Sequence, residues 1–137
     1  MPITLRQFFD RYAELSSGPD PERLADLYAP TFIVGGPEGS QAFANDSRFL
    51  EWLREANDFN RRHGMRWLGV VAIHAITLSP LHTLATVSWG AQFEKTGARI
   101  IEFEISYLVE HAGESWKILS YISQTDQNAE MKKAGLL

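Results

Sequence analysis

Chemistry in this chain would have to rest on histidine, tyrosine and carboxylate side chains, because the sequence contains no cysteine. Without a thiolate there is no thiol nucleophile, no disulfide scaffold and no sulfur-ligated metal. Four histidines are the natural candidates for proton transfer near neutral pH. His74 sits among Ala72, Ile73, Ala75 and Ile76. There it could be a buried, hydrogen-bonded structural group or a base facing a cavity. His63 ends a helical stretch, where a cation suits the helix dipole, His82 follows Pro80 in a turn, and His111 lies at a strand end. No two histidines stand at the i, i+4 spacing of a helical metal site and no carboxylate joins them, so no metal and no other cofactor is expected. Glu102 and Glu104 share one strand face, roughly 7 Å apart. They oppose the apolar parity of their strand, so a solvated or interface-rim position competes with acid–base work. Asp126 follows Ser123-Gln124-Thr125 beyond the last apolar pattern.

The elements that must position these groups are readable from periodicity. Thr4 and Gln7 form a capping box for a helix with Leu5, Phe8, Phe9, Tyr12 and Leu15 at helical spacing. Asp20 and Pro21 start a second, short helix carrying Leu24, Leu27 and Tyr28, which Ala29-Pro30 should stop. Thr31 to Val34 reads as a short strand, and residues 35–45 as a loop that could act as a lid. Asp46 caps a third helix with Phe49, Trp52, Leu53, Ala56 and Phe59 on one face and charges largely on the other.

From Met65 the period falls to two residues. Strands are expected over 66–78, 83–94, 99–111 and 115–125, joined by turns short enough for antiparallel hairpins. Helices followed by an antiparallel meander specify an α+β fold in which three N-terminal helices pack on one sheet. In the second long strand Ala85, Val87, Trp89, Ala91 and Phe93 share one parity, and in the third Ile101, Phe103, Ile105, Tyr107 and Val109 do so. The first and last long strands are apolar on both parities, more than three helices can cover. The outer face is therefore expected to pair with a second copy in a twofold dimer, unless the strands curl enough to cover themselves.

Composition sets the bounds. The 137 residues suit one domain spanning 1–137, with 45% hydrophobic and 22% charged residues. Eight Phe, four Tyr and four Trp make a core of large flat groups, as packing or an apolar ligand site would need. The net charge is −4 and the one basic cluster, Arg61-Arg62-His63 with Arg66, is too short to track a phosphate backbone, so no nucleic-acid partner is expected. The apolar run from Leu68 to Leu78 is far below the ~20 residues that cross a bilayer, and charges interrupt the N-terminus, so neither membrane span nor signal peptide is expected. The lack of cysteine fits a cytoplasmic location.

The order of elements resembles the nuclear transport factor 2-like superfamily. The segment from Gly113 through Trp116-Lys117-Ile118 to Ser123 is similar to the family's closing Gly–x–x–Trp–Lys–Ile pattern. Leu24 to Phe32 is similar to its second helix running into its first strand. The resemblance covers essentially the whole chain, within the polyketide cyclase and ketosteroid isomerase-like branch. It implies a strongly curved, mainly antiparallel sheet forming a cone around an internal pocket. Ketosteroid isomerases of this fold carry a carboxylate base before a Pro after the first strand, where this chain has Gly36-Pro37. Tyr12 matches their oxyanion-donating Tyr. The Tyr-Asp pair and His of scytalone dehydratase-like members correspond to Ser16-Ser17 and Leu68. Neither catalytic set is intact.

Within such a cone Tyr28, Trp52, Trp89, Phe103 and Tyr107 are expected to line the pocket with Tyr12, a surface suited to a small hydrophobic or aromatic molecule. As an enzyme, the chain would be a cofactor-free isomerase, dehydratase or cyclase. Tyr12 or Tyr107 would polarise a carbonyl, with His74 or Asp126 as base at the pocket or its mouth. The rival readings are a ligand-binding module without turnover and an oligomerisation or protein-interaction domain.

Overall fold

The computed structural model describes residues 3–16, 18 and 20–124. Three helices, α1 (Leu5–Ser16), α2 (Pro21–Ala25) and α3 (Ser47–Arg62), cover one face of a six-stranded sheet. Its strands are β1 (Tyr28–Gly36), β2 (Gly39–Ala44), β3 (Met65–Thr77), β4 (His82–Phe93), β5 (Ile101–Ala112) and β6 (Ser115–Ser123). They lie in the order β2-β1-β6-β5-β4-β3, antiparallel throughout except for the β1–β6 pair. The result is α+β, a curved, unclosed cone of sheet with helices in its hollow.

The local signals act through identifiable bonds. Gln7 N donates to Thr4 Oγ1 at 3.1 Å while Thr4 N donates to Gln7 Oε1 at 2.9 Å, closing the capping box of α1. Asp46 Oδ1 accepts from the amides of Arg48 and Phe49 at 3.0 and 3.3 Å, capping α3. Asp20 occupies the cap position of α2 but makes no side-chain cap bond, and its carboxylate pairs with Arg23 instead. Trp116 Nε1 donates to the Ile3 carbonyl at 3.3 Å, tying the start of α1 to the closing strand.

Two expectations near the N-terminal half are corrected. The second helix ends at Ala25, before Ala29-Pro30, and Leu27 and Tyr28 pass directly into β1. The segment expected to be a lid-like loop is largely β2, which pairs with β1 in unbroken register from Thr31↔Ala44 to Gly36↔Gly39. The pairing leaves Pro37-Glu38 as a two-residue turn, and the left-handed φ of 127° at Gly39 explains the glycine there.

Curvature comes from β-bulges. Along β3 the register slips between Met65 and Trp67 and again between Val70 and Ala72. Each slip adds a residue to β3 and reverses which parity faces inward. Between the slips Gly69 pairs with Gly90 on the outer face, and the Trp67 ring lies over both. A Cβ on Gly69 would sit 2.3 Å from Trp67 Cζ2, and one on Gly90 3.0 Å from Val71 Cγ2 and Ile100 Cγ2. The strands bend here because nothing but hydrogen separates the ring from the backbone. Arg6 of α1 donates to the Val70 carbonyl at 3.1 Å, at the second bulge.

Parity along β4 and β5 runs as expected, with Ala85, Val87, Trp89, Ile105, Tyr107 and Val109 buried. For β3 the bulges account for the mixed pattern. Its apolar residues fall on both parities because the bulges switch sides, and Trp67, Val71 and Ile76 remain substantially exposed. A slip in the β5–β6 pairing, with Val109 opposite Ile118 and Leu108 opposite Ser120, likewise carries both Ile118 and Tyr121 inward.

Gly69→Ala is expected to lower unfolding free energy by about 1–3 kcal/mol in chemical denaturation. Adding Trp67→Ala should recover part of that loss, so that the two substitutions are non-additive. Strict additivity would show that the ring does not rest on the glycine.

Candidate functional site

The hollow face encloses a cavity of about 200 Å³. Tyr12 and Ser16 of α1 and Trp52, Leu53, Ala56, Asn57 and Asn60 of α3 form its helical walls. The sheet contributes Leu68, Trp89, Phe103, Ile105, Tyr107 and Tyr121, with Met65, Phe93 and Ile101 at one end. The strand residues arrive by the two-residue period, and the α3 residues recur at three- and four-residue spacing on one helix face. No Asp, Glu, Lys, Arg or His belongs to this described lining.

The chemistry of the site lies in its phenols. The chain has four tyrosines, and all four meet here, from α1, β1, β5 and β6. Tyr12 Oη and Tyr28 Oη are 2.6 Å apart. Trp89 Nε1–H donates to Tyr107 Oη at 3.1 Å, leaving the Tyr107 proton to be donated onward. Ring centroids of Tyr12 and Tyr107 are 6.0 Å apart, as are those of Tyr107 and Tyr121, which oppose each other across β5 and β6. Tyr28 does not line the cavity, and in its hydrogen bond with Tyr12 either hydroxyl can be the donor. Of this bonded pair Tyr12 is the member on the lining, so when Tyr28 donates, the Tyr12 proton is available to the hollow.

Burial dominates the electrostatics. It pushes the pKa of all four phenols upward, because a phenolate here would lose its hydration. For Tyr12, hydrogen bonds from Tyr28 and Tyr107 oppose that rise. Tyr28 and Tyr107 are driven well above the ordinary range, first by burial and then by neighbouring phenols, although the Trp89 N–H partly relieves Tyr107. Tyr12 is thus the group best supported as negative charge develops on or near its oxygen.

Of the residues singled out from sequence, Tyr12, Trp52, Trp89, Phe103 and Tyr107 line the cavity, and Tyr28 supports it from behind. Trp52 stacks on Phe49 and is half in solvent, 49% exposed. His74 lies elsewhere. It pairs with Thr86 on the outer face of the sheet and is exposed, because the bulge at Val71 turned its parity outward. Glu102 and Glu104 are also on the outer face, where Ser88 donates to Glu104 at 3.4 Å. Asp126 lies outside the described residues. Gly36 and Pro37 belong to the β1–β2 turn and do not reach the lining.

Sequence reasoning missed Tyr121, Asn57 and Asn60. Tyr121 was hidden by the β6 bulge, which no residue type announces. Asn57 and Asn60 stand at i, i+3 on the same α3 face as Leu53 and Ala56, and polar residues within an apolar stripe were the available signal. Asn57 Nδ2 donates to the Gly18 carbonyl at 3.1 Å, whereas the Asn60 amide has no protein partner among the described residues.

Phenols held neutral by the fold have a measurable signature. Their folded pKa values exceed the unfolded value near 10.0, so stability is complete below that pH and declines as pH rises above it. Because no tyrosine lies outside the cluster, phenolate absorbance should be nearly absent from the folded protein at pH ~10 and appear together with alkaline unfolding. Reversible ionisation of even one tyrosine near its ordinary pKa, with the fold intact, would contradict the cluster.

The comparisons agree with this architecture. A protein with a cystatin-like fold from Nostoc punctiforme superposes with a TM-score of 0.65 at 15% identity, over 97% of this chain and 84% of that one. An NTF-2 like protein from Shewanella oneidensis gives 0.65 at 15% identity, over 86% and 93%. A protein of ketosteroid isomerase-like fold from Catenulispora acidiphila, in complex with trimethylamine, gives 0.59 at 14% identity, over 98% and 96%. At these identities the likeness is one of fold. No curated protein matches the sequence, and no helix among the described residues is long and apolar enough to cross a membrane. The family model for NTF2-like protein (DUF6841) matches residues 3–126, and the chain belongs to that family.

Proposed function

We propose that this protein binds a small, flat, mostly apolar molecule in the hollow of the cone and directs the Tyr12 hydroxyl at an acceptor oxygen on it. The observation that carries this reading is the convergence of three phenols, Tyr12, Tyr107 and Tyr121, on the wall of a mostly apolar cavity, with Tyr28 bonded to Tyr12 from behind. A fold needing only to be stable would fill that space with hydrocarbon, because every buried hydroxyl must find a partner. The trimethylamine complex of the Catenulispora protein supports the premise that this fold admits small molecules.

Isomerase, dehydratase or cyclase chemistry through an enol-like intermediate needs two parts, a donor at the carbonyl and a base at the adjacent carbon. Tyr12 suits the first role. The described lining offers no carboxylate or imidazole for the second, with His74 on the outer face. Binding without turnover is therefore the reading the described residues favour. Acetophenone, an apolar ring with one carbonyl, is a suitable probe in calorimetry. Tyr12→Phe should weaken it by about fivefold, the value of roughly one hydrogen bond, and lower the melting temperature because the buried Tyr28 hydroxyl loses its partner. Equal binding by the wild-type and Tyr12→Phe proteins would remove Tyr12 from the site.

We further propose that the outer sheet face pairs with a second copy. Ile33, Ile76 and Ile122 are 48%, 48% and 51% exposed there, and Ile76, Leu84 and Leu108 form one row across three strands. Such a row meets itself across a twofold axis without opposing like charges. Light scattering should report a dimer, and the double variant Ile76→Glu, Ile122→Glu should report a folded monomer. A wild-type monomer would remove the interface.

A further inference from the structure

We infer that the cavity selects an uncharged, single-ring ligand with two polar groups, an acceptor oxygen for Tyr12 and a second group for Asn60. The inference rests on the binding role proposed above and specifies its ligand class.

Size comes first. A cavity of about 200 Å³ only modestly exceeds the ~150 Å³ void that holds benzene, and it falls below the ~300–1,000 Å³ of pockets for drug-sized molecules. One ring with short substituents fits that space, and a fused four-ring skeleton would have to extend past the half-exposed Trp52 into solvent.

Charge comes second. The described lining has no ionic side chain to pair with a buried ion, and burying a charge without a partner costs several kcal/mol. The polar groups present are hydroxyls and amides, which suit neutral acceptors and donors.

The third consideration is where polarity is left unspent. Trp89, Tyr107, Tyr28 and Tyr12 bond one another, and Asn57 is spent on Gly18. Two lining groups keep their capacity, with no hydrogen-bond partner among the described residues: the Tyr121 hydroxyl beside the phenol cluster and the Asn60 amide on α3. Asn60 stands on a different wall from the phenols, one helical turn beyond Asn57. That amide is partly exposed, open to solvent or to a second polar group on the ligand, and its carbonyl and NH2 groups can serve either a donor or an acceptor.

The test uses the full chain in calorimetry with acetophenone, its meta- and para-hydroxy derivatives, benzoate, benzyltrimethylammonium and a four-ring steroid ketone. At least one hydroxy derivative should bind about tenfold more tightly than acetophenone. Asn60→Leu should erase that gain, so that the hydroxy derivative binds the variant no more tightly than acetophenone does. The charged probes and the steroid should bind more weakly than acetophenone. Absence of any hydroxy gain, a gain that survives Asn60→Leu, or tighter binding of an ion or the steroid would each overturn the inference. In those cases acetophenone binding that still depends on Tyr12 would leave the binding role standing. If no probe binds, the role and the ligand class fall together.

Discussion

A sheet can enclose a hollow only if it bends, and regular strands resist bending because each residue extends the ladder by the same step. In this protein the bend depends on extra residues at the β3 bulges and on the Gly69–Gly90 pair between them, over which the Trp67 ring lies. The indole replaces the cross-strand packing that two glycines cannot supply. At the second bulge the Arg6 guanidinium takes the Val70 carbonyl, so the helix that carries Tyr12 is tied to the place where the sheet turns. Curvature and the placement of the phenol thus share one structural cause.

The phenol cluster then exploits the enclosed space. Hydroxyls buried singly would each need a partner, and here Tyr12 bonds Tyr28 while the Trp89 N–H bonds Tyr107. Burial keeps the set neutral, and neutrality makes it a donor array at ordinary pH. In the reading proposed above, Tyr12 would supply the electrophilic half of a carbonyl-handling site. The half that would accept a proton has no representative in the described lining.

The two faces of the sheet divide the labour. Inner residues from β4, β5 and β6 build the cavity, while the outer face carries isoleucines, leucines and a band of Ser, Thr and Glu. A charged or catalytic residue on β3 is assigned to one side or the other by a single-residue slip. His74 is the clearest case: without the bulge at Val71 it would share a face with Val70, and with it His74 faces outward beside Thr86.

The amino-acid sequence by itself determined the element types, because their signals are local. The capping box at Thr4, the cap at Asp46, the two-residue period of β4 and β5 and the Trp116-Lys117-Ile118 ending each act within a few residues. Those signals sufficed to direct Tyr12, Trp89, Phe103 and Tyr107 to one hollow. Tertiary structure alone decided the side on which His74 and Tyr121 lie, and whether residues 35–45 form a loop or a strand. A bulge is a property of the pairing between two strands, set by where their partners sit, and neither strand encodes it alone. β2 likewise exists because β1 offers it an edge. Its own residues, Gly39-Ser40-Gln41-Ala42-Phe43-Ala44, carry too little β-branched character to specify a strand without that partner.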